Sequence, residues 1–238
     1  MATSENLFVG SADRIFAPSE VDRLGEDLPI MAKTLAWIRD FLAKPHPDLG
    51  RPGPVCPFIP NAINLNTVWM KVIRTQNPTV AQIESIVEPY RDVFIKLEPT
   101  DAKSAINKAI LLIFPDVPLQ EAPLLIDGVK QKLKSSFVKE GLMLGEFHGL
   151  NPSGGLHNPD FRPLRSPAPM LAIRFMVSTD LPFLMKSTDP AKERALFLTA
   201  YLARFGSSLD DERRELANKA QAAARIEWRC AEAGYSDY

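Results

Sequence analysis

Histidine and cysteine are the scarcest of the chemically useful side chains here, with three and two copies in 238 residues. Two cysteines, Cys56 and Cys230, can form at most one bridge, which excludes a disulfide scaffold and favours free thiols in a reducing, cytoplasmic setting. No HExxH and no CxxC pair occurs, so the common zinc signatures are missing. The adjacent glycines of "PSGGLHNP" belong to neither GxGxxG nor GxxxxGK[ST], and a phosphate cradle is unsupported. An excess of either charge is also lacking. The 28 basic and 29 acidic side chains leave a formal net charge of −1, so the chain as a whole carries no electrostatic footprint for nucleic acid or for an anionic membrane surface. No apolar run approaches the roughly 18 residues that span a bilayer. The opening stretch, "MATSENLFVGSADRIFAPSE", has no basic leader followed by an apolar block.

What is present is the patterning of a globular protein, 45% apolar and 24% charged, without internal repeats at solenoid or propeller periods. Helical periodicity comes first. Ser19 with Asp22 begins a short helix, and Met31, Leu35, Ile38 and Leu42 share one face of a second that ends before Pro45. Thr79 with Gln82 forms a capping box ahead of Val80, Ile83 and Val87. Leu125, Ile126, Val129, Leu133 and Phe137 mark a helix that stops at Gly141. Another has Asp189 as cap, Pro190 in the first turn, Ala195, Leu198, Leu202 and Phe205 inward, and Gly206 as stop. A solvated helix from Ser208 to Cys230 carries acids at its start in "DDERREL", with Leu209, Leu216, Ala220 and Ala223 as its apolar stripe. Strand signals alternate with these in "LNTVWMKVIRT", "DVFIKLE", "AILLIF", "LMLGEFHG" and "MLAIRFMVS". The expectation is an α+β fold, a single sheet of about five strands packed with helices, with helical N- and C-terminal segments. The chain reads as a single domain, 1–238, with 1–27 as an N-terminal extension and 208–238 as a C-terminal helix.

Proline is concentrated. Six of the 21 prolines lie in Pro45–Pro60, "PHPDLGRPGPVCPFIP", and six more in Pro152–Pro182. Each fixes its own φ and restricts its predecessor, so these segments lose less entropy on ordering. His46 and Cys56 lie in the first, His157 lies in the second, and His148 closes the strand leading into it. Arg51, Arg162, Arg165 and Arg174 cluster around both. Stiff loops on a scaffold are where functional groups are often carried.

Four chemistries compete for these residues. In haem, a thiolate in a Cys-Pro dipeptide such as "VCPF" or an imidazole such as His157 ligates iron, and arginines hold the propionates. A non-haem metal would draw on His46, His148 and His157 with Asp48, Glu146 or Asp160. Cys56 could instead be a nucleophile activated by a histidine. Or the segments are clamps, with histidines bonded to loop backbone and the arginines paired with Asp48 and Asp160, each exposed pair worth about 0–1 kcal/mol.

The two motifs, "PHPDLGRPGPVCPF" and "GLHNPDFRPLRSPAPMLAIRFMVSTDLPFL", resemble an uncharacterised family of bacterial domains encoded among natural-product biosynthetic genes, from about Leu28 to Phe205. More remotely, the layout is similar to the YqcI/YcgG family of haem proteins, some of which hydroxylate the guanidine nitrogen of arginine-like substrates. This chain has Cys-Pro-Phe where that family has Pro-Cys-x-Phe, and His-Asn-Pro where it has His-Pro. Cys56, Phe58 and His157 are the counterparts. The resemblance implies a cytoplasmic haem-dependent oxygenase acting on a small amine- or amino-acid-derived metabolite. It would have His157 as axial ligand and Cys56 as the alternative, with Phe58, Arg51, Arg162 and Arg165 around the cofactor. A non-catalytic accessory or ligand-binding domain is the second expectation, and a metal- or cysteine-dependent transferase or hydrolase the third. The sequence allows a homodimer.

Overall fold

The computed structural model describes residues 15–19 and 29–233. The helix expected from Ser19 and Asp22 lies outside them. The chain groups into two compact units, Met1–Gln131 with Leu144–Arg174 and Lys132–Met143 with Phe175–Tyr238.

In the first unit, helix α1 (Pro29–Trp37) runs directly into a single π turn, Ile38–Leu42. Met31, Leu35, Ile38 and Leu42 are buried as their spacing predicts. Each fully buried side chain of this size contributes about 1.5–3 kcal/mol. There follow α2 (Ile59–Asn64), β1 (Val68–Val72), α3 (Val80–Val87), α4 (Tyr90–Lys96), α5 (Ala102–Ala105) and β2 (Ala109–Ile113). Helix α6 spans Ala122–Lys139, β3 Leu142–Phe147 and β4 Met170–Phe175. The capping box of α3 forms as expected: Thr79 N donates to Gln82 Oε1 at 2.8 Å, and Gln82 N to Thr79 Oγ1 at 3.3 Å.

The sheet is mixed and four-stranded, in the order β1–β2–β4–β3. β1 and β2 are parallel, with Met70 opposite Leu111, and β2 and β4 antiparallel, with Leu111 opposite Ala172. Alternation puts Val68, Met70, Val72, Leu111, Ile113, Met170 and Ala172 on one face, where they pack in one cluster with the inward residues of α1. Ile110, Leu112, Leu171 and Ile173 of the opposite face are buried too. This is why "AILLIF" reads as a continuous apolar run rather than an alternating one.

The fifth expected strand is a helix. "DVFIKLE" contributes α4 and its cap, in which Phe94 and Leu97 are buried while Ile95 is 38% exposed. Three alternating apolar positions, Val93, Ile95 and Leu97, fit a strand, but a short run cannot separate a period of 2 from 3.6. Here the buried positions follow the helical spacing.

The second unit contains α7 (Leu181–Leu184), α8 (Ala191–Phe205) and α9 (Asp211–Glu232). They pack around Val138, Met143, Met176, Phe197, Leu198 and Tyr201. Gly141 ends α6 at φ +75, the left-handed conformation that favours glycine. Asp189 is not the cap of α8. Pro190 occupies that position, while Asp189 is buried and accepts from Lys134 Nζ at 2.5 Å. The buried Lys134 ammonium, which also donates to the Phe183 carbonyl at 3.1 Å, takes the carboxylate instead of the helix end. Gly206 does close α8, but at φ −52, so no left-handed turn is involved. On α9 the inward stripe is Ala217 and Ala224 with Ala220 half-buried, whereas Leu216 is 48% exposed and Ala223 exposed. Leu209 and Ala220 face inward as expected, while Ala217 and Ala224 take the places of Leu216 and Ala223, one position further on. Among the described residues no helix is long and apolar enough to cross a membrane.

Candidate ligand-binding site

Three segments of the first unit build the site. The first is the end of α1. In the π turn Ala43 N donates to Ile38 O at 2.9 Å, a spacing of five residues that widens the helix locally. Trp37 and Phe41, four apart, stack with ring centroids 6.1 Å apart, and Phe147 meets Trp37 edge-on at 5.8 Å.

The second is the proline-rich stretch Pro45–Pro60, folded back on itself. Pro45 bridges Pro54, Val55 N donates to Lys44 O and Cys56 N to Leu42 O. His46 Nδ1 accepts from Asp48 N at 3.2 Å and so caps the 3₁₀ turn Pro47–Leu49. Its ring lies 4.7 Å from that of Phe161 and 5.8 Å from that of Phe41.

The third is the loop after β3. Asn151 is buried, accepts from Ser153 N at 2.9 Å and donates to Glu146 O at 3.3 Å, which turns the chain out of the strand. Gly155 N then donates to Phe161 O, closing a compact loop.

The two proline-rich segments meet. Asn158 Nδ2 donates to the Asp48 carbonyl at 2.8 Å, and Asn158 Oδ1 accepts from Asp160 N at 2.9 Å. Gly50, at φ +75, lies so close that a Cβ there would fall 2.8 Å from the His157 carbonyl oxygen. Only glycine satisfies both the left-handed backbone and this approach.

Between them opens a cavity of about 680 Å³, lined by Trp37, Phe41, Asp48, Asn158, Asp160, Phe161, Arg162 and Arg165. The charged groups around it are left available. Arg162 Nη1 turns back to the carbonyls of Pro159 and Phe161, and Arg165 Nε reaches the Asn151 carbonyl at 3.4 Å. Among the described residues neither guanidinium has a carboxylate partner, and the Asp160 carboxylate has none either. Asp48 has only His46, 3.9 Å away.

Of the residues singled out from the sequence, Asp48, Asp160, Arg162 and Arg165 line this cavity, while the histidines, Cys56, Phe58, Arg51 and Arg174 do not. His157 is exposed; its backbone packs on Gly50. Cys56 is half-buried against the hydrophobic cluster of the unit, and its thiol makes no hydrogen bond among the described residues. Phe58 caps α2. Arg51 closes its own loop, donating to the carbonyls of Pro52 at 2.9 Å and Val55 at 3.1 Å. The cavity therefore offers neither a thiolate nor an imidazole from the expected set, and the residues lining it do not fit an iron-ligated haem. Trp37, Phe41, Asn158 and Phe161 were not among the expected site residues. The aromatic pair four apart just before Pro45, and the Phe161 ring between Asp160 and Arg162, were the available signals.

The remaining buried polar groups serve packing. His148 is fully buried with Nε2 3.1 Å from Asp127 Oδ1, and Lys130 lies 3.4 Å from Glu146. Burial raises the Asp127 pKa and Glu146 adds to the rise, while His148 and Lys130 oppose it. Lys108 is buried with Nζ 2.5 Å from the Leu97 carbonyl and 3.1 Å from that of Pro99. Burial brings its pKa down to about 8, against the opposing charge of Glu98. Among the described residues no three His, Cys, Asp or Glu side chains are grouped to hold a metal ion.

The chain matches the model of a domain of unknown function, DUF6875, over residues 31–216. It belongs to that family. The matched stretch includes all three segments of the cavity, so the site lies inside the DUF6875 domain rather than in an appendage. No curated protein and no solved structure matches the chain.

Proposed function

We propose that this DUF6875 domain is a cytoplasmic small-molecule-binding protein whose site is the cavity between α1 and the proline-rich segments. One observation carries the reading. A cavity of about 680 Å³ combines three aromatic walls with guanidinium and carboxylate groups that have no strong partner among the described residues. Pockets of this kind, mostly apolar with a few placed polar groups, are the usual form of metabolite sites. Proline stiffening supports it as well, because a wall ordered before binding reduces the entropy lost on association.

Trp37 makes the proposal testable. Metabolites that enter the cavity should quench or shift tryptophan fluorescence in the wild type, and the change should vanish in Trp37→Phe while calorimetric binding persists. A fluorescence response unaffected by Trp37→Phe, from a ligand whose binding also ignores Phe161→Leu, would place binding elsewhere and end this reading. The haem-dependent oxygenase implied by the resemblance is tested in the same sample. A Soret band on adding haem, lost in His157→Ala or Cys56→Ala, would replace our reading with that one.

A further inference from the structure

An acid and a base two residues apart ordinarily sit within reach of each other, yet Asp160 and Arg162 form no ion pair among the described residues. Their backbone explains it. Asp160 N is held by Asn158 Oδ1, and the Arg162 guanidinium is drawn back onto the Pro159 and Phe161 carbonyls. Between them Phe161 turns inward and is buried. Asn158 anchors both acids, Asp160 through its amide and Asp48 through its carbonyl. Among the described residues Arg165 engages only its Nε.

The lining thus offers Asp48 and Asp160 as a negative pole and Arg162 and Arg165 as a positive pole beside an aromatic wall. Two residues of chain hold the Cα atoms of Asp160 and Arg162 within about 7 Å, so both signs of charge border one short stretch of the cavity.

We propose, on the assumption that the cavity is the ligand site, that it takes an amphoteric ligand: an α-amino-acid-like molecule with an apolar or aromatic body. Its carboxylate meets Arg162 and Arg165, where the planar fork of a guanidinium matches two oxygens. Its ammonium meets Asp160 and Asp48, and its body lies against Trp37 and Phe161. A ligand with one charge leaves the opposite pole solvated and gains only half of these contacts.

Three probes separate this proposal from the reading beneath it: L-phenylalanine, phenethylamine, which lacks the carboxylate, and 3-phenylpropionate, which lacks the amine. Calorimetric titration should give the tightest binding for L-phenylalanine, with each single-charge analogue about tenfold weaker or more, the scale of one charge-assisted hydrogen bond. Arg165→Gln should bring L-phenylalanine down toward phenethylamine, and Asp160→Asn should bring it down toward 3-phenylpropionate. Both side chains are exposed, so neither variant threatens folding. If either analogue binds the wild type as tightly as L-phenylalanine, and Trp37→Phe removes the fluorescence response, the cavity stands as a ligand site and the amphoteric assignment falls. If none of the three binds up to the millimolar range, the assignment falls, and the cavity reading loses its support with it.

Discussion

Pro45–Pro60 and the loop after β3 are both rich in proline and both carry arginine, yet they do different work. Pro45–Pro60 gives the cavity Asp48 and turns its arginine, histidine and cysteine inward or onto itself. Arg51 bonds carbonyls of its own loop, His46 caps its own 3₁₀ turn and Cys56 packs against the hydrophobic cluster. The loop after β3 turns its functional groups outward, so that Asn158, Asp160, Arg162 and Arg165 line the cavity. Proline lowers the entropy of either loop equally. What differs is where the backbone carbonyls point. In the first segment they engage both Nη groups of Arg51. In the second they engage Nη1 of Arg162 and Nε of Arg165 and leave the other donors for a ligand. A stiff loop with an arginine is therefore a clamp or a wall depending on which of the five N–H donors the loop itself engages.

Five substitutions probe that contrast. The largest effect is expected from Phe161→Ala. Phe161 is both core and cavity wall, and its loss should lower the urea-unfolding free energy by about 3 kcal/mol and abolish ligand binding. Next is Gly50→Ala, which puts a Cβ against the His157 backbone at a positive φ. A cost of about 2 kcal/mol is expected from the left-handed conformation together with the clash. Binding should weaken as the segments separate, and a variant that unfolds normally and binds normally would show that they need not touch. Asn158→Ala, which removes the bond to the Asp48 carbonyl, should cost about 1 kcal/mol by the same measurement. The smallest effect on stability is the sharpest for the comparison. Arg51→Ala should lose about 1 kcal/mol and leave ligand affinity unchanged, while Arg165→Gln should shift stability by less than about 0.5 kcal/mol and reduce affinity. Reversal of that pair would dissolve the distinction between clamp and wall.

Much of this was legible before any coordinates. The faces of α1, α3 and α6, the capping box at Thr79, the buried central strand and the left-handed glycine at position 141 all follow from spacing and residue chemistry. α4 was not, because Val93, Ile95 and Leu97 alternate as well as they spiral, and the burial of Phe94 decides between the two. The cap of α8 failed for a different reason. Asp189 has a stronger claim on it from Lys134, 55 residues away, which no local pattern encodes. In the site, Arg162 and Arg165 were singled out and do line the cavity, but scarcity drew attention to Cys56 and His157, which do not. Rare side chains are conspicuous in a sequence whether they face a cavity, the core or solvent.

The sequence by itself determined that the chain is an α+β fold with two stiffened loops, because periodicity, capping and proline act over a few residues at a time. Only the tertiary structure decided that those loops touch, and which of their side chains turn toward the cavity. That outcome rests on Asn158 reaching the Asp48 carbonyl across 110 positions and on Gly50 admitting the His157 backbone. Contacts of that range depend on how the sheet and α1 bring distant segments together, and no local rule specifies them.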